Sequence, residues 1–305
     1  MMKALLMCLL LLPLLALARP ELEQALGPNL ADEGSAYYRF ESFELTSADG
    51  ARQYRVRLAI PRREAPASGY PVLYLLDGNA ALMALREGWL AEVQQGQPPL
   101  LVMMGPASDL RLDLPARVFD YTPLPQGGVA ALDISLGNRA TGGTPAFREL
   151  LASRIKPEVA KRVRVDAARQ GIWGHSLGGL FVLDTLRVEP NAFRFYIAAS
   201  PSLWWQSGLL LKRFEGFAGG LGQLLVLQGG AERDGLRAAD DSPRAQAMAA
   251  VPAHAARELS KQLGRLPGMQ AQYHEFAGLG HGPMLAASLR PALRLAAGLA
   301  PFVED

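Results

Sequence analysis

The chain has 305 residues, half of them hydrophobic, which is enough for one well-buried core. Its 31 Lys and Arg residues nearly balance 29 Asp and Glu residues, so the charge gives no reason to expect a nucleic acid as partner. A disordered chain is excluded as well, because it would combine low hydrophobicity with a high net charge.

The first 18 residues have the pattern of a secretory signal peptide. Lys3 supplies a short positive region, and residues 4–15 are almost wholly apolar. Residues 16–18 match the small-x-small cleavage pattern, which predicts a cut after Ala18 and export of the mature protein. The alternative is a membrane anchor, although the apolar run is shorter than the ~20 residues of a spanning helix. The only cysteine, Cys8, lies in this leader, so the mature chain would have no disulfide.

Two β-rich stretches, 40–45 and 53–60, flank a turn signal at Asp49-Gly50 and predict a hairpin. From residue 71 the pattern changes to short apolar runs that alternate with helical stretches. Such runs are typical of strands buried on both faces of a parallel sheet. The strands are predicted at 72–76, 100–104, 171–173, 195–199, 224–227 and 270–276, and the helices at 80–94, 177–188, 245–263 and 284–299. The alternation predicts right-handed βαβ units with helices on both faces, in a single α/β domain over 19–305.

The segment 107–143 is long, irregular and rich in Pro, Gly and Asp, and loops of this length are usually functional. Thr144 and Pro145 then predict the N-cap and first position of a helix over 145–156. In parallel sheets, sites form where the strands end at their carboxyl edge. We therefore expect the loops after residues 76, 173, 227 and 276 to share one rim.

Residues 174–178 read Gly-His-Ser-Leu-Gly between an apolar strand and an amphipathic helix. This context is that of the nucleophile elbow of the α/β-hydrolase fold, with Ser176 as nucleophile. The sharp turn predicts that Gly174 and Gly178 are needed because they lack side chains. The helix N-terminus behind Ser176 favours negative charge that develops during a reaction.

A serine hydroxyl needs an adjacent base, and the chain has four histidines. His281 follows the last predicted strand in a Gly-rich loop and comes after the serine, as the order Ser, acid, His requires. We therefore predict His281 as the base, against a turn histidine without a role. His175 is expected to point away from the reacting face, His254 to lie on a helix, and His274 to be structural.

The acid of a triad should follow a strand between the serine and the histidine. Glu232 is the first choice, and Asp234, Asp240 and Asp241 lie in the same loop. The alternative is that all four are solvated loop carboxylates.

Two backbone amides should form an oxyanion hole. One is the amide of Leu177, directly after the nucleophile, and the other is assigned to Asn79, with Gly78 next. A simple β-turn at 77–79 is the alternative. The histidines lack the spacing of metal ligands, and no Gly-rich phosphate loop is present, so the sequence implies no metal and no cofactor.

Four segments occur together in this order: Leu-Leu-Asp-Gly-Asn at 75–79, Gly-His-Ser-Leu-Gly-Gly at 174–179, Ser-Pro-Ser-Leu-Trp-Trp at 200–205 and Gly-His-Gly at 280–282. Together they resemble the esterase D family of serine hydrolases. Within that family the chain is most similar to periplasmic esterases that open the trilactone of enterobactin and its glucosylated relatives.

The resemblance implies Ser176 as nucleophile, His281 as base, and the Asn79 and Leu177 amides as oxyanion donors. Some relatives work with a Ser-His dyad, which would make the Glu232 carboxylate dispensable. An arginine of the family meets the anionic catecholates, and the matching position is Arg117, for which a surface arginine is the alternative.

The resemblance further indicates that Trp204 or Trp205 walls the pocket while the other plugs the core. It implies a small-molecule ester, a ferric siderophore, as the partner. General carboxylesterase, acyltransferase and non-catalytic siderophore-binding functions are the alternatives.

Overall fold

A computed structural model describes residues 24–234 and 241–303. The predicted signal peptide, its cleavage after Ala18, Cys8 and the candidate Asp240 therefore lie outside the described residues. Within these two ranges, no helix combines the length and apolar character needed to cross a bilayer.

Eight strands form one sheet in the order β1-β2-β4-β3-β7-β8-β9-β10. Their bounds are β1 Tyr38–Thr46, β2 Gln53–Pro61, β3 Tyr70–Leu75, β4 Leu100–Pro106, β7 Val165–His175, β8 Phe195–Ala199, β9 Gly222–Gly229 and β10 Met269–Phe276. The hairpin β1–β2 and its contact with β4 are antiparallel, and the six remaining strands run parallel. The predicted hairpin and the mostly parallel α/β sheet are confirmed.

Helices cover both faces of this sheet. They are α1 Leu30–Glu33, α2 Gly78–Ala84, α3 Glu87–Glu92, α4 Leu114–Tyr121, α5 Thr144–Leu150, α6 Lys156–Arg162, α7 Leu177–Val188, α8 Leu209–Arg213, α9 Pro243–Ala249, α10 Ala255–Leu263, α11 Met284–Ala287 and α12 Leu289–Ala296. Side chains of β3 alternate between two apolar clusters because successive residues of a strand face opposite sides. Val72 and Tyr74 belong to the cluster on the face covered by the helices α4 to α10. Leu73 and Leu75 belong to the cluster on the other face, which α2, α3, α11 and α12 cover.

Three predicted helices are broken in the structure. The stretch 80–94 divides into α2 and α3, and 284–299 divides into α11 and α12. The stretch 245–263 divides at Pro252, which fixes φ and has no N–H for the helical ladder, so α10 starts afresh after His254. Periodicity alone predicted these segments as continuous, because the apolar spacing carries on across each break.

The predicted cap at Thr144 is wrong. Gly143 is the N-cap of α5, and the Thr144 hydroxyl donates to the buried Asp184 carboxylate at 3.2 Å. The helix also runs further than 156, through a π-helical turn at Leu151–Ile155 into α6. The local sequence favoured Thr144 as a cap, but its hydroxyl instead makes a tertiary hydrogen bond to α7.

The long segment 107–143 folds onto the carboxyl edge of the sheet. It contains α4 and a small two-stranded sheet of β5 Ala131–Asp133 and β6 Arg139–Thr141. The Asp133 carboxylate accepts hydrogen bonds from the Trp205 indole N–H and the Gln206 amide, both at 3.0 Å. This segment therefore forms one wall of the rim where the candidate residues meet.

Candidate active site

The predicted elbow is present between β7 and α7. Ser176 has φ 63° and ψ −116°, an unusual conformation for a residue with a side chain. Its N–H donates to Ala199 O at 2.9 Å, which ties the turn to the neighbouring strand β8. The serine side chain is thereby fixed at the rim, directly before the first turn of α7.

The elbow depends on glycine at two of its positions. A Cβ at Gly174 would lie 2.4 Å from the backbone of Gly178, and one at Gly179 would lie 2.9 Å from Ala199 O. At Gly178 a Cβ would approach the Leu76 side chain at 3.4 Å and Asp77 Oδ2 at 3.7 Å, which are ordinary van der Waals distances. The predicted steric requirement for glycine thus holds at Gly174 but not at Gly178. Gly179 is the second position of the elbow at which a side chain would clash.

Three candidate side chains form a continuous chain of contacts. The Nε2 atom of His281 lies 3.0 Å from Ser176 Oγ, and its Nδ1 atom lies 3.3 Å from Glu232 Oε2. Burial raises the pKa of Glu232, but hydrogen bonds from His281, Ser200 and the Gly229 N–H outweigh it and leave the pKa below its usual value. Glu232 is therefore ionised at neutral pH and can stabilise a positive charge on His281.

The Glu232 carboxylate is itself held in place. Its Oε1 atom accepts hydrogen bonds from the Ser200 hydroxyl at 2.5 Å and from the Gly229 N–H at 2.8 Å. The alternative carboxylates Asp234 and Asp241 are exposed to solvent. Among the described candidates, Glu232 is therefore the one that the fold brings to the histidine.

His175 does not point away from the site, so that expectation is wrong. Its ring lies 4.8 Å from the ring of His281, and its Nε2 atom is 2.9 Å from His281 O. Burial, followed by the proximity of His281 and Arg117, lowers the pKa of His175 well below its usual value. The ring is therefore neutral, and its Nε2–H donates to the carbonyl oxygen of the histidine beside the nucleophile.

Of the two remaining histidines, one lies where the sequence placed it. His274 is in β10 and stacks on Phe302 with ring centroids 3.9 Å apart. His254, expected within a helix, instead lies in the turn before α10 as its N-cap residue.

Ser202 is a site residue that sequence reasoning missed. Its hydroxyl oxygen lies 3.2 Å from Ser176 Oγ, and the side chain is buried. The available signal was its place directly after β8, whose carboxyl end adjoins that of β7 in a parallel sheet.

The candidate oxyanion donors differ in their setting. Leu177 lines the cavity around Ser176, whereas Asn79 is buried in the first turn of α2 and is not among the residues that line this cavity. The Asn79 side-chain amide turns away and donates to Ser108 O at 2.9 Å and Leu110 O at 2.7 Å. Only the main-chain amides of this turn are thus candidates for binding a substrate oxygen, and their role stays a prediction.

Arg117 lines the cavity but does not offer a free charge. Its Nε and Nη2 atoms bind the Asp77 carboxylate at 2.9 and 3.0 Å, and both side chains are buried. Nη2 also lies 3.5 Å from His175 O at the elbow. The arginine therefore joins the end of β3 to the end of β7, and its predicted contact with substrate stays a prediction.

A cavity of about 510 Å³ opens over Ser176 and His281. Trp204 forms one wall with the Arg244 guanidinium 4.7 Å above its ring, and a second cavity of about 570 Å³ lies beyond it and also reaches His281. Trp205 is completely buried in the core. Trp204 is thus the tryptophan in the pocket wall and Trp205 the one in the core, while a contact of Trp204 with substrate stays a prediction.

The mostly parallel sheet, the strand-elbow-helix turn and the Ser176–His281 contact define a serine hydrolase of the α/β-hydrolase fold. The chain belongs to the family described as "Putative esterase", whose sequence pattern matches residues 47–278. The resemblance to siderophore-esterase relatives is confirmed by similarity over most of the chain.

The chain is 39% identical over 284 residues to the apo-salmochelin esterase of Escherichia coli O6:H1, covering 90% of this chain and 84% of that protein. It is 31% identical to the ferri-bacillibactin esterase BesA of Bacillus subtilis, with coverages of 83% and 87%. The solved structure of the enterobactin and salmochelin hydrolase IroE superposes with a TM-score of 0.70 at 37% identity, over 89% of this chain and all of that one.

Proposed function

We propose that this protein is an exported serine esterase that hydrolyses the trilactone ester bonds of a catecholate siderophore such as ferric enterobactin, and so supports iron release. The observation that carries the proposal is the contact chain from Ser176 through His281 to Glu232, which opens into a cavity with several arginines in its wall. The names of the relatives support the substrate class, because they are esterases of salmochelin and bacillibactin.

The chemistry begins with proton transfer from the Ser176 hydroxyl to His281 Nε2 as Oγ attacks the lactone carbonyl. The Leu177 amide, with that of Asn79 or Gly78, binds the oxyanion of the tetrahedral intermediate. Its collapse breaks the bond to the lactone alcohol, which takes the proton from His281 and leaves an acyl-Ser176 ester. Water, activated by His281, then repeats the sequence and releases the acid.

Recognition of the anionic substrate is assigned to arginines whose charge is not neutralised. A ferric triscatecholate carries a strong negative charge, whereas the Arg117 charge is balanced by Asp77. Arg111 and Arg244 line the cavity, and no carboxylate of the described residues forms an ion pair with them. We assign the catecholate contacts to Arg111 and Arg244, with Trp204 as a stacking surface between the two cavities.

Export of the protein is supported by the leader pattern in residues 1–18 and is consistent with the proposed substrate. A ferric siderophore arrives from outside the cell, so an esterase that opens it in the periplasm would meet it after uptake. Cell fractionation with N-terminal sequencing of the mature protein tests this. We expect a periplasmic protein that begins at Arg19, and recovery of the uncut chain in the cytoplasm would contradict the export proposal.

The function is tested by incubating the wild type and Ser176→Ala with enterobactin, ferric enterobactin and a p-nitrophenyl ester. Ser260→Ala serves as a control, because it also removes a serine hydroxyl but from a buried position on α10 outside the cavity. We expect linearised products with the wild type and control, and none with Ser176→Ala. Cleavage of the simple ester alone would overturn the siderophore assignment, and tight binding without turnover would indicate a carrier. Product analysis with an added alcohol separates hydrolysis from acyl transfer.

The charge assignment has its own test in Arg111→Gln and Arg244→Gln. Each is expected to raise KM for the ferric siderophore while leaving turnover of the neutral p-nitrophenyl ester close to the wild type. Loss of activity on both substrates would show that the arginines maintain the site instead of binding the anion.

A further inference from the structure

The hydroxyl of Ser202 lies within hydrogen-bond distance of the nucleophile, which also contacts His281. Its oxygen is 3.2 Å from Ser176 Oγ, and the side chain is only 1% exposed. A buried hydroxyl needs a partner, and among the described residues Ser176 Oγ is the side chain that provides one. The contact therefore defines the chemical role of the Ser202 hydroxyl.

The backbone fixes this contact independently of the two hydroxyls. The Ser202 N–H donates to Ser176 O at 3.0 Å, and the Trp205 N–H donates to Ser202 O at 3.1 Å. Ser176 in turn donates its N–H to Ala199 O at the end of β8. Two main-chain hydrogen bonds thus join the elbow to β8 and to the segment that follows it, and a third holds the turn of that segment.

The direction of the hydrogen bond follows from the protons available. Ser176 has one hydroxyl proton, and His281 Nε2 must accept it at 3.0 Å for the histidine to work as a base. In that arrangement Ser176 Oγ can only accept in its contact with Ser202. The Ser202 hydroxyl is therefore the donor, directed at a lone pair of the nucleophilic oxygen.

The strength of this hydrogen bond changes along the reaction. In the free enzyme Ser176 Oγ is a neutral hydroxyl, and in the acyl-enzyme it becomes the weakly accepting alkoxy oxygen of an ester. When the second tetrahedral intermediate collapses, the carbon–Oγ bond breaks and its electron pair moves to Oγ, which becomes a strong acceptor. The proton from His281 Nε2 then neutralises it, and Ser202 keeps its own proton throughout.

We infer that Ser202 is a further catalytic residue whose hydroxyl accelerates deacylation by stabilising the departing Ser176 oxygen. An interaction raises a rate only if it becomes stronger between the ground state and the transition state. The hydrogen bond from Ser202 does so in deacylation, whose ground state is the acyl-enzyme. In acylation the ground state is already a good acceptor, so the same bond contributes little. The inference rests on the proposed acyl-Ser176 mechanism.

The test measures the two half-reactions separately in Ser202→Ala. Acylation is followed by stopped flow with enzyme in excess over p-nitrophenyl acetate, from the release of nitrophenol. Deacylation is followed by intact-protein mass spectrometry after rapid removal of excess ester. We expect acylation within about threefold of the wild type and deacylation slower by roughly 10- to 100-fold, the range of one hydrogen bond to a charged group.

Two further variants keep the result interpretable. Ser202→Cys places a weakly donating thiol at the same position, and its deacylation rate is expected to lie between those of alanine and the wild type. Ser260→Ala controls for loss of a buried hydroxyl elsewhere. Equal slowing of both half-reactions, or no slowing of deacylation in either Ser202 variant, would overturn the inference. Formation of an acyl-enzyme by Ser176→Ala would instead overturn the proposed function.

Discussion

Replacing Glu232 by glutamine measures what the third member of the contact chain contributes to turnover. Glutamine keeps the size of the side chain but removes the charge that faces His281 Nδ1. A hydrogen bond to a charged group contributes about 1.5–3 kcal/mol, and the strongest such contacts are about 2.7–2.9 Å long. The 3.3 Å contact seen here puts Glu232 at the lower end of this range.

About 1.5 kcal/mol corresponds to a loss of roughly tenfold in kcat, since 1.36 kcal/mol is a factor of ten. KM should change little, because the carboxylate stabilises the protonated histidine of the transition state. The assay is steady-state hydrolysis of a p-nitrophenyl ester at neutral pH, where the lowered pKa of Glu232 keeps the wild-type carboxylate ionised. Asp234→Asn, which removes an exposed carboxylate from the same loop, is the matched control.

Two results would refute this reasoning about Glu232. If Glu232→Gln were as inactive as Ser176→Ala, the carboxylate would be essential and the distance a poor guide to its contribution. If Glu232→Gln kept full activity, the enzyme would work with a Ser-His dyad and the carboxylate would serve only to fix the loop through Ser200 and the Gly229 N–H.

Arg117→Met should destabilise the protein by about 3–5 kcal/mol in urea unfolding, because it leaves the Asp77 carboxylate buried without a partner. Adding Asp77→Asn should recover most of that loss, and an additive double variant would contradict a direct pair. Gly78→Ala should lower kcat by ~100-fold, the order of one oxyanion donor, because its Cβ would lie 2.7 Å from Met104 N and displace the turn; an unchanged kcat would exclude Gly78 from the oxyanion hole. Burial raises the pKa of Asp120 to about 7 from 3.8, so its stabilisation is present at low pH and is lost as pH rises through that window. Urea unfolding between pH 4 and pH 8 should therefore show Asp120→Asn gaining up to about 4 kcal/mol on the wild type, and parallel curves would contradict the shift.

The sequence sufficed for the features that rest on local pattern. Continuous apolar runs identified the parallel strands to within about two residues at each end, except that β7 begins at Val165 and not at 171. The Gly-x-Ser-x-Gly turn located Ser176 where β7 ends. The order of serine and histidine along the chain placed His281 correctly at the same rim. Each of these features follows from a local residue pattern or from the order of residues along the chain, and both can be read from the sequence.

The remaining features depend on how distant segments pack. His175 was expected to face away, because the elbow pattern gives the position of a side chain but not its partner 106 residues later. Ser202 belongs to the Ser-Pro-Ser-Leu-Trp-Trp segment at 200–205, but that segment did not indicate a contact with Ser176, which became visible only once β8 lay beside β7. Helix breaks such as the one at Pro252 were concealed by apolar spacing that continues on both sides.

The role predicted for Arg117 also depended on a contact that the sequence does not reveal, in this case an ion pair. An arginine before the elbow of such an esterase is an obvious candidate for an anionic substrate, and Arg117 does line the cavity. A buried guanidinium is stable only when its charge is compensated, and the nearest carboxylate, Asp77, binds it through two nitrogen atoms. For this reason we propose Arg111 and Arg244, which lies above Trp204, as the contacts of a catecholate, whereas the contact predicted for Arg117 stays a prediction. A positive residue near a catalytic serine therefore indicates substrate binding only after its ion pairs within the protein have been counted.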